Sequence, residues 1–472
     1  MQAVSDFSKG RVSGNILRLA MPMVLAQLVN VLYNVVDRMY IGHMGEGSVD
    51  ALTGVGLTFP ILLIVTAFAN LFGTGGTPLF SMARGAAQRE MGERQRERAA
   101  DVLNSTFLLL TVTGVVLTVL VLLVKRPFLY LFGASDATYP YADGYITIYM
   151  LGSVFVMISL GMNGFINAQG FANKGMLTVL IGAVLNIALD PLFIFTFDMG
   201  VRGAALATVL SQLASALWVI GFLTGKKTLY RLELRRMRLR LRLVWEIVSL
   251  GAAGFIMSFT TSAVQVVCNA MLAQFGGDLF VGVMTVINSI REVTYAPVSG
   301  ITNAANPVMG FNYGAHLFER VKKTLWYGIF GATGIGLALW ALVHLFPEQI
   351  VGFFGITNES LRDFTVFALK VQLLMLPFIG FQIVGSNYFQ ATGQPLKSIF
   401  LSLTRQILFL VPLLIVLPMV LPSWFPQFVS LDALYFATPA ADFLAIFTTV
   451  VFIVLEMGRL KKLESGELKA KF

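Results

Sequence analysis

Apolar residues in this chain fall into long runs separated by short polar connections. Twelve such runs stand out: 14–41, 51–80, 99–124, 141–167, 175–197, 201–224, 244–274, 279–310, 322–346, 361–391, 398–421 and 431–457. A helix needs about 20 mostly apolar residues to cross a bilayer, so the pattern predicts twelve membrane-spanning helices. The connections are too short to hold a soluble domain, which leaves one all-α polytopic membrane unit.

Composition supports this reading. Of 472 residues, 56% are hydrophobic and 12% charged, about half the charged share of a soluble domain (~25%). Mean hydropathy is +0.77. A single aqueous core could not hide that much apolar surface, and disorder requires the opposite composition. One cysteine, Cys268, rules out an intramolecular disulfide framework or a cysteine-built zinc site. The three histidines (His43, His316, His344) are far apart.

The formal charge of +9 suggests topology rather than a nucleic-acid partner. Connections 81–98, 225–243 and 311–323, both termini, Lys174 and Lys397 put 25 Lys or Arg on one side, against Lys125, Arg126, Arg202 and Arg362 on the other. The positive-inside rule then places both termini in the cytoplasm of a multi-pass cell (inner) membrane protein. The first apolar run continues as a full span and lacks a small-residue cleavage site, so a secretory signal peptide is not expected.

The halves repeat. Pro78-Leu-Phe-Ser-Met-Ala-Arg-Gly85-Ala86 ends the second span and Pro307-Val-Met-Gly-Phe-Asn-Tyr-Gly314-Ala315 the eighth, 229 residues later. Leu131-Phe132-Gly133-Ala134-Ser135-Asp136 answers Phe353-Phe354-Gly355-Ile356-Thr357-Asn358, and Ala168-Gln169-Gly170 answers Ala391-Thr392-Gly393. Six spans separate each pair, so the repeats run parallel. The expected fold is two pseudo-symmetric six-helix lobes: an N-lobe (1–224), a basic cytoplasmic linker (225–243), a C-lobe (244–458) and a basic tail (459–472). Parallel repeats of this kind are a transporter architecture, with substrate handled between them near mid-membrane.

Ionisable and amide groups inside spans cost energy and mark candidate function. Asp37, Asp190, Glu292 and Asp442 are the acids, and Arg38, Arg291, Lys370 and Arg405 the bases. In the first span Asn30, Asn34 and Asp37 share a face, with Gln27 nearby and Pro22 permitting a bend. In the fifth, Asn186 and Asp190 lie one turn apart, and Pro191 follows. Thr208 in the sixth span follows small residues that permit close helix approach. These oxygens could form a site for a proton or hard cation, or a hydrogen-bonded clasp between helices. Asp37 could instead pair with Arg38 at the interface. Structural roles are the alternative for Glu292 and Asp442. Met and aromatic residues mostly suit lipid and core contacts, and some suit a cavity for flat cations.

The chain lacks a GxxxxGK[ST] phosphate loop and a TVGYG filter, so neither an ATP-hydrolysing site nor a selective channel is indicated. It also lacks HExxH and GxSxG, and no enzyme is expected.

Taken together, Asp37-Arg-Met-Tyr-Ile-Gly, Gln169-Gly170, Asn186-Ile-Ala-Leu-Asp190-Pro191, Gly200-Val-Arg-Gly-Ala-Ala-Leu-Ala-Thr208 and Asn312-Tyr-Gly-Ala315 resemble the multidrug and toxic compound extrusion (MATE) family over essentially the whole chain. The resemblance implies an antiporter exporting cationic or amphipathic small molecules as H+ or Na+ enters. It implies no prosthetic cofactor and no nucleic acid, with lipid as the surrounding partner and a monomer as the functional unit. By position, Asp37, Asn186, Asp190 and Thr208 become the ion-coupling set, and the metal site if the ion is sodium. Gln27, Asn30, Asn34, Asn269 and Glu292 become substrate-cavity candidates. One branch of the family carries acids in the seventh and tenth spans. Here those spans offer Gln265, Asn269, Gln382, Asn387 and Gln390, so coupling is expected in the N-lobe. The alternative within the superfamily is a flippase for lipid-linked saccharide or peptidoglycan precursors, for which Arg38, Arg291 and Arg405 would have to hold pyrophosphate.

Overall fold

The computed structural model describes residues 6–42, 48–90, 92–233, 236–354, 358–426 and 429–468; the side chains of 34, 35, 38, 39, 41, 42, 48, 49 and 278 fall outside that description. His43, Arg235, Lys469, Lys471 and the Gly355-Ile356-Thr357 part of the repeat also lie outside it.

The first lobe contains α1 (Val12–Gly42), α2 (Ser48–Glu90), α3 (Glu93–Leu131), α4 (Tyr139–Leu151), α5 (Ser153–Ala168), α6 (Ala172–Pro191) and α7 (Gly200–Thr224). The second contains α8 (Leu241–Gly276), α9 (Asp278–Gly314), α10 (Phe318–Leu345), α11 (Pro347–Gly352), α12 (Glu359–Gln372), α13 (Leu376–Ala391), α14 (Pro395–Leu403), α15 (Val411–Trp424) and α16 (Ser430–Glu464). Wide π turns extend α6 through Leu192–Thr196 and join α14 to α15 through Thr404–Leu410. Such turns concentrate at functional sites.

Among the described residues, nine helices are individually long and apolar enough to cross a membrane. Two bent pairs, α4 with α5 (55°) and α12 with α13 (42°), make single broken spans. The twelfth span is α9, whose 37 residues carry a polar face and therefore score as less apolar. It packs lengthwise on α1 and α10. The fold is thus all-α, with twelve spans in two lobes.

The lobes meet where the repeat motifs lie. A Cβ added to Gly85 would strike the Phe311 carbonyl, and one added to Gly314 would strike the Met82 carbonyl. Each glycine therefore meets the backbone three residues before its counterpart. This reciprocity follows from parallel repeats related by a two-fold axis, and it lets α2 and α9 cross backbone to backbone. Gly170 and Gly393 end the repeat-related α5 and α13 with φ of 91° and 73°, a left-handed conformation open to glycine at little cost.

One expectation changes. The sequence suggests a loop over 81–98, but α2 runs on to Glu90 and α3 starts at Glu93. Alanines 83, 86 and 87 favour helix, and all three are buried. Arg84 consequently sits inside the protein. It donates to the Ala168 carbonyl at 2.5 Å and lies over the rings of Phe7 and Phe311, at 5.2 and 5.0 Å.

Phe7 itself is 1% exposed and meets Phe311 edge to face at 5.6 Å. Arg320, at the start of α10, donates to the carbonyls of Phe7, Lys9 and Gly10. The segment before α1 is therefore a strap across both lobes at their common end. The basic connection after α7 is also pinned: Gln169 exchanges two hydrogen bonds with the Tyr230 backbone, at 3.2 and 3.1 Å. Asn104 receives the Glu233 N–H at 2.7 Å.

Candidate ion and substrate site

Asn186 and Asp190 occupy one face of α6, and both are buried. The Asn186 amide donates to Asp190 Oδ1 and to Thr208 Oγ1, each at 3.3 Å. Thr208 is brought there by α7, which can approach because Gly203 leaves no room for a side chain against the Phe193 backbone. The Asp37 carboxyl, from α1, interacts with that of Asp190. Tyr33, one turn before Asp37, and Tyr145 from α4 both lie within reach of the Thr208 hydroxyl. A cavity of about 340 Å³ is lined by Tyr33, Asp37, Tyr145, Tyr149, Thr208 and Gln212, among others.

Two neighbouring carboxyls in a bundle interior repel when both are ionised. A shared proton or a bound cation removes the repulsion. Oδ2 of Asp190 and Oδ1 of Asn186 are buried and take no hydrogen bond among the described residues, which leaves acceptor capacity for such a cation. Among the described residues no cluster of three or more His, Cys, Asp or Glu is present. The donor set is one of carboxyls, amide and hydroxyls, suited to a proton or a hard monovalent cation.

A second cavity, of about 360 Å³, lies between the lobes. It is lined from α1, α2, α5, α6 and α7 on one side and from α9 and α13 on the other. Tyr33 and Gln212 line both cavities, and Asn186 lines this one while bonding Asp190. The chamber and the acid pair therefore share a wall.

The structure gathers Asp37, Asn186, Asp190 and Thr208 in one cluster, and Gln27 and Asn30 line the chamber. The Asn34 side chain lies outside the described residues. Asn269 and Glu292 do not line either cavity. Asn269 instead accepts from Gln265 at 2.8 Å, Gln265 accepts from Asn288 at 3.1 Å, and Asn288 accepts from Arg291 at 2.5 Å. Glu292 is exposed on α9. Asp442 accepts from Arg405 at 2.6 Å and is 2% exposed. Sequence reasoning missed Tyr33, Tyr145 and Tyr149. Their only signal is spacing: Tyr33 is four residues before Asp37, and Tyr145 four before Tyr149.

A family model described as MatE matches residues 22–192 and 254–416. The chain belongs to the MatE family. The two matched blocks fall one in each lobe, as the internal repeat requires. The multidrug export protein MepA of Staphylococcus saprophyticus subsp. saprophyticus is 25% identical over 87% of this MatE chain and 88% of its own length. A solved MATE structure in complex with MaL6 superposes with a TM-score of 0.89, at 26% identity, over 98% of this chain and 100% of its own. An outward-facing multidrug resistance MATE transporter of the MOP superfamily gives 0.88 at 25% identity, over 98% and 99%. This MatE protein is accordingly a multi-pass membrane protein.

Proposed function

We propose that this protein is a secondary multidrug efflux antiporter. It exports organic cations and other amphipathic compounds in exchange for H+ or Na+ entering at Asp37, Asn186, Asp190 and Thr208. The observation that carries the reading is the shared wall. Asn186 holds Asp190 with its nitrogen and also lines the chamber, so ion and substrate can each sense the other's presence. The similarity to MepA, a multidrug export protein, supports the export direction.

The cycle needs only that the two ligands favour different states. With the acid pair ionised, substrate enters from the cytoplasm or inner leaflet. A proton or sodium ion arriving at the pair then neutralises it and changes the wall through Asn186 and Tyr33, and substrate leaves outward. Closure at Gly85 and Gly314 lies at the end bearing the basic connections. With those connections cytoplasmic, the lobes are closed inward, which suits the resemblance to an outward-facing transporter. Linker 225–243 then joins lobes 1–224 and 244–458, with tail 459–472 on the same side. The flippase reading finds less support, because the described chamber wall carries no basic residue to hold pyrophosphate.

The test is dye efflux from proteoliposomes under separately imposed proton and sodium gradients. One gradient should drive the wild type. Neither should drive Asp37→Asn or Asp190→Asn above a tenth of that rate. Full gradient-driven efflux by both variants would remove the ion site from the N-lobe.

A further inference from the structure

The wall of the interlobe chamber is unusual for a site meant to hold cations by charge. Of its 32 lining residues, eleven are Asn or Gln and none is Asp, Glu, Lys, Arg or His. Most of its accessible surface is apolar, as in a common small-molecule pocket, and amides supply most of its polar groups. Its amides come in pairs on single helix faces: Asn163 with Asn167 on α5, Asn303 with Asn306 on α9, Asn387 with Gln390 on α13. Spacings of three or four residues put each pair on one face.

The pairs also obey the repeat. Thr74, Thr77 and Pro78 of α2 stand 229 residues before Asn303, Asn306 and Pro307 of α9, and all six line the chamber. Asn167 stands 223 residues before Gln390, the same offset as Gly170 to Gly393. Both lobes thus present polar side chains from matching positions to one shared space.

A second observation points to a ligand. Side-chain oxygens of Thr77, Asn163, Asn167, Asn186 and Asn306 are buried and take no hydrogen bond among the described residues. Buried polar atoms left in this state are uncommon, and each calls for a partner such as water or ligand. Two of them converge. A methyl group at Gly175 would lie 3.0 Å from Asn163 Oδ1 and closer still to Asn167 Oδ1. The two acceptors therefore pack together against the bare backbone of Gly175. Amides binding only one another as interhelical clasps would have consumed these oxygens.

We infer that the chamber selects ligands by their N–H and O–H donors and not by positive charge, so that its substrate class extends to uncharged, donor-rich molecules such as glycosides. This rests on the export function proposed above and adds to its substrate class. Charge sensing is left to the separate pocket around Asp37 and Asp190.

The experiment is equilibrium binding to the full chain in nanodiscs, with no gradient, using two probes. One is 4-methylumbelliferyl glucoside, uncharged and rich in hydroxyls. The other is tetraphenylphosphonium, a fixed cation with no donors. The glucoside should bind at least tenfold more tightly. Asn163→Leu and Asn306→Leu, one in each lobe, should each weaken the glucoside at least tenfold and change tetraphenylphosphonium less than threefold. Tighter binding of tetraphenylphosphonium, or equal losses for both probes in the variants, would overturn the inference. The wild-type comparison decides alone if a variant does not fold. Because no gradient is present, failure of ion-driven efflux with glucoside binding intact would count against the antiporter and not against the chamber.

Discussion

Asn186 donates to Asp190 and Thr208 at 3.3 Å each, while its own oxygen is buried at the wall of the interlobe chamber without a hydrogen bond among the described residues. One side chain thereby belongs to both the acid cluster and the chamber wall. A hydrogen bond to a charged group contributes about 1.5–3 kcal/mol, equivalent to roughly ten- to a hundredfold in a rate or affinity it controls. Asn186→Ala should retain binding of the donor-free cation tetraphenylphosphonium within a few fold and lose its gradient-driven efflux by about tenfold or more. Parallel binding and flux assays in proteoliposomes check this.

The crossing of α2 and α9 should tolerate no side chain. Gly85→Val and Gly314→Val each push a branched group into a backbone carbonyl of the other lobe. Overpacking of this kind costs about 1–3 kcal/mol, here at the contact that closes the lobes on each other. Spin labels placed on α3 and α10 near that contact should report a wider separation in both variants, and by similar amounts because the contacts are reciprocal.

The strap before α1 should act on the same contact. Phe7 buries an aromatic ring between Arg84 and Phe311, a burial contributing about 1.5–3 kcal/mol. Phe7→Ala, in a Cys268→Ala background, should speed maleimide labelling of a cysteine placed at Ala87, which is 3% exposed. An unchanged labelling rate would show that the strap does not hold the lobes closed.

Arg405 and Asp442 form a buried pair in the second lobe, on the π turn and on α16. Removing one partner of such a pair costs about 3–5 kcal/mol, whereas replacing both by apolar residues costs little. Asp442→Ala should lower the melting temperature markedly. Arg405→Met combined with Asp442→Leu should restore most of it. Thermal melts in detergent distinguish the two.

Much of this fold was legible because lipid imposes a simple rule. Twelve apolar runs had to be helices, and the P-x6-G-A motifs marked where two halves meet. The N-lobe acids were legible for the same reason: Asp37 and Asp190 are too costly in an apolar span to pass unnoticed. Individual amides are cheaper to bury and carry less signal, so Asn163, Asn167, Asn303 and Asn306 were overlooked although each pair has helical spacing. Glu292 misled the reading, because a charge within a span can sit on an exposed face. Arg84 misled it in the other direction: a basic residue counted as a loop marker lies buried on a continued helix, which hydropathy alone does not distinguish.

In the proposed cycle, ion and substrate exclude one another through the Asp37–Asp190 pair. The most direct measurement is ion release when ethidium is added to the purified protein, following protons in weak buffer and radioactive sodium in parallel. The wild type should release one of the two ions as the dye binds, and Asp190→Asn should bind the dye and release neither. Dye binding to the wild type with no ion released, or equal release from the variant, would contradict it.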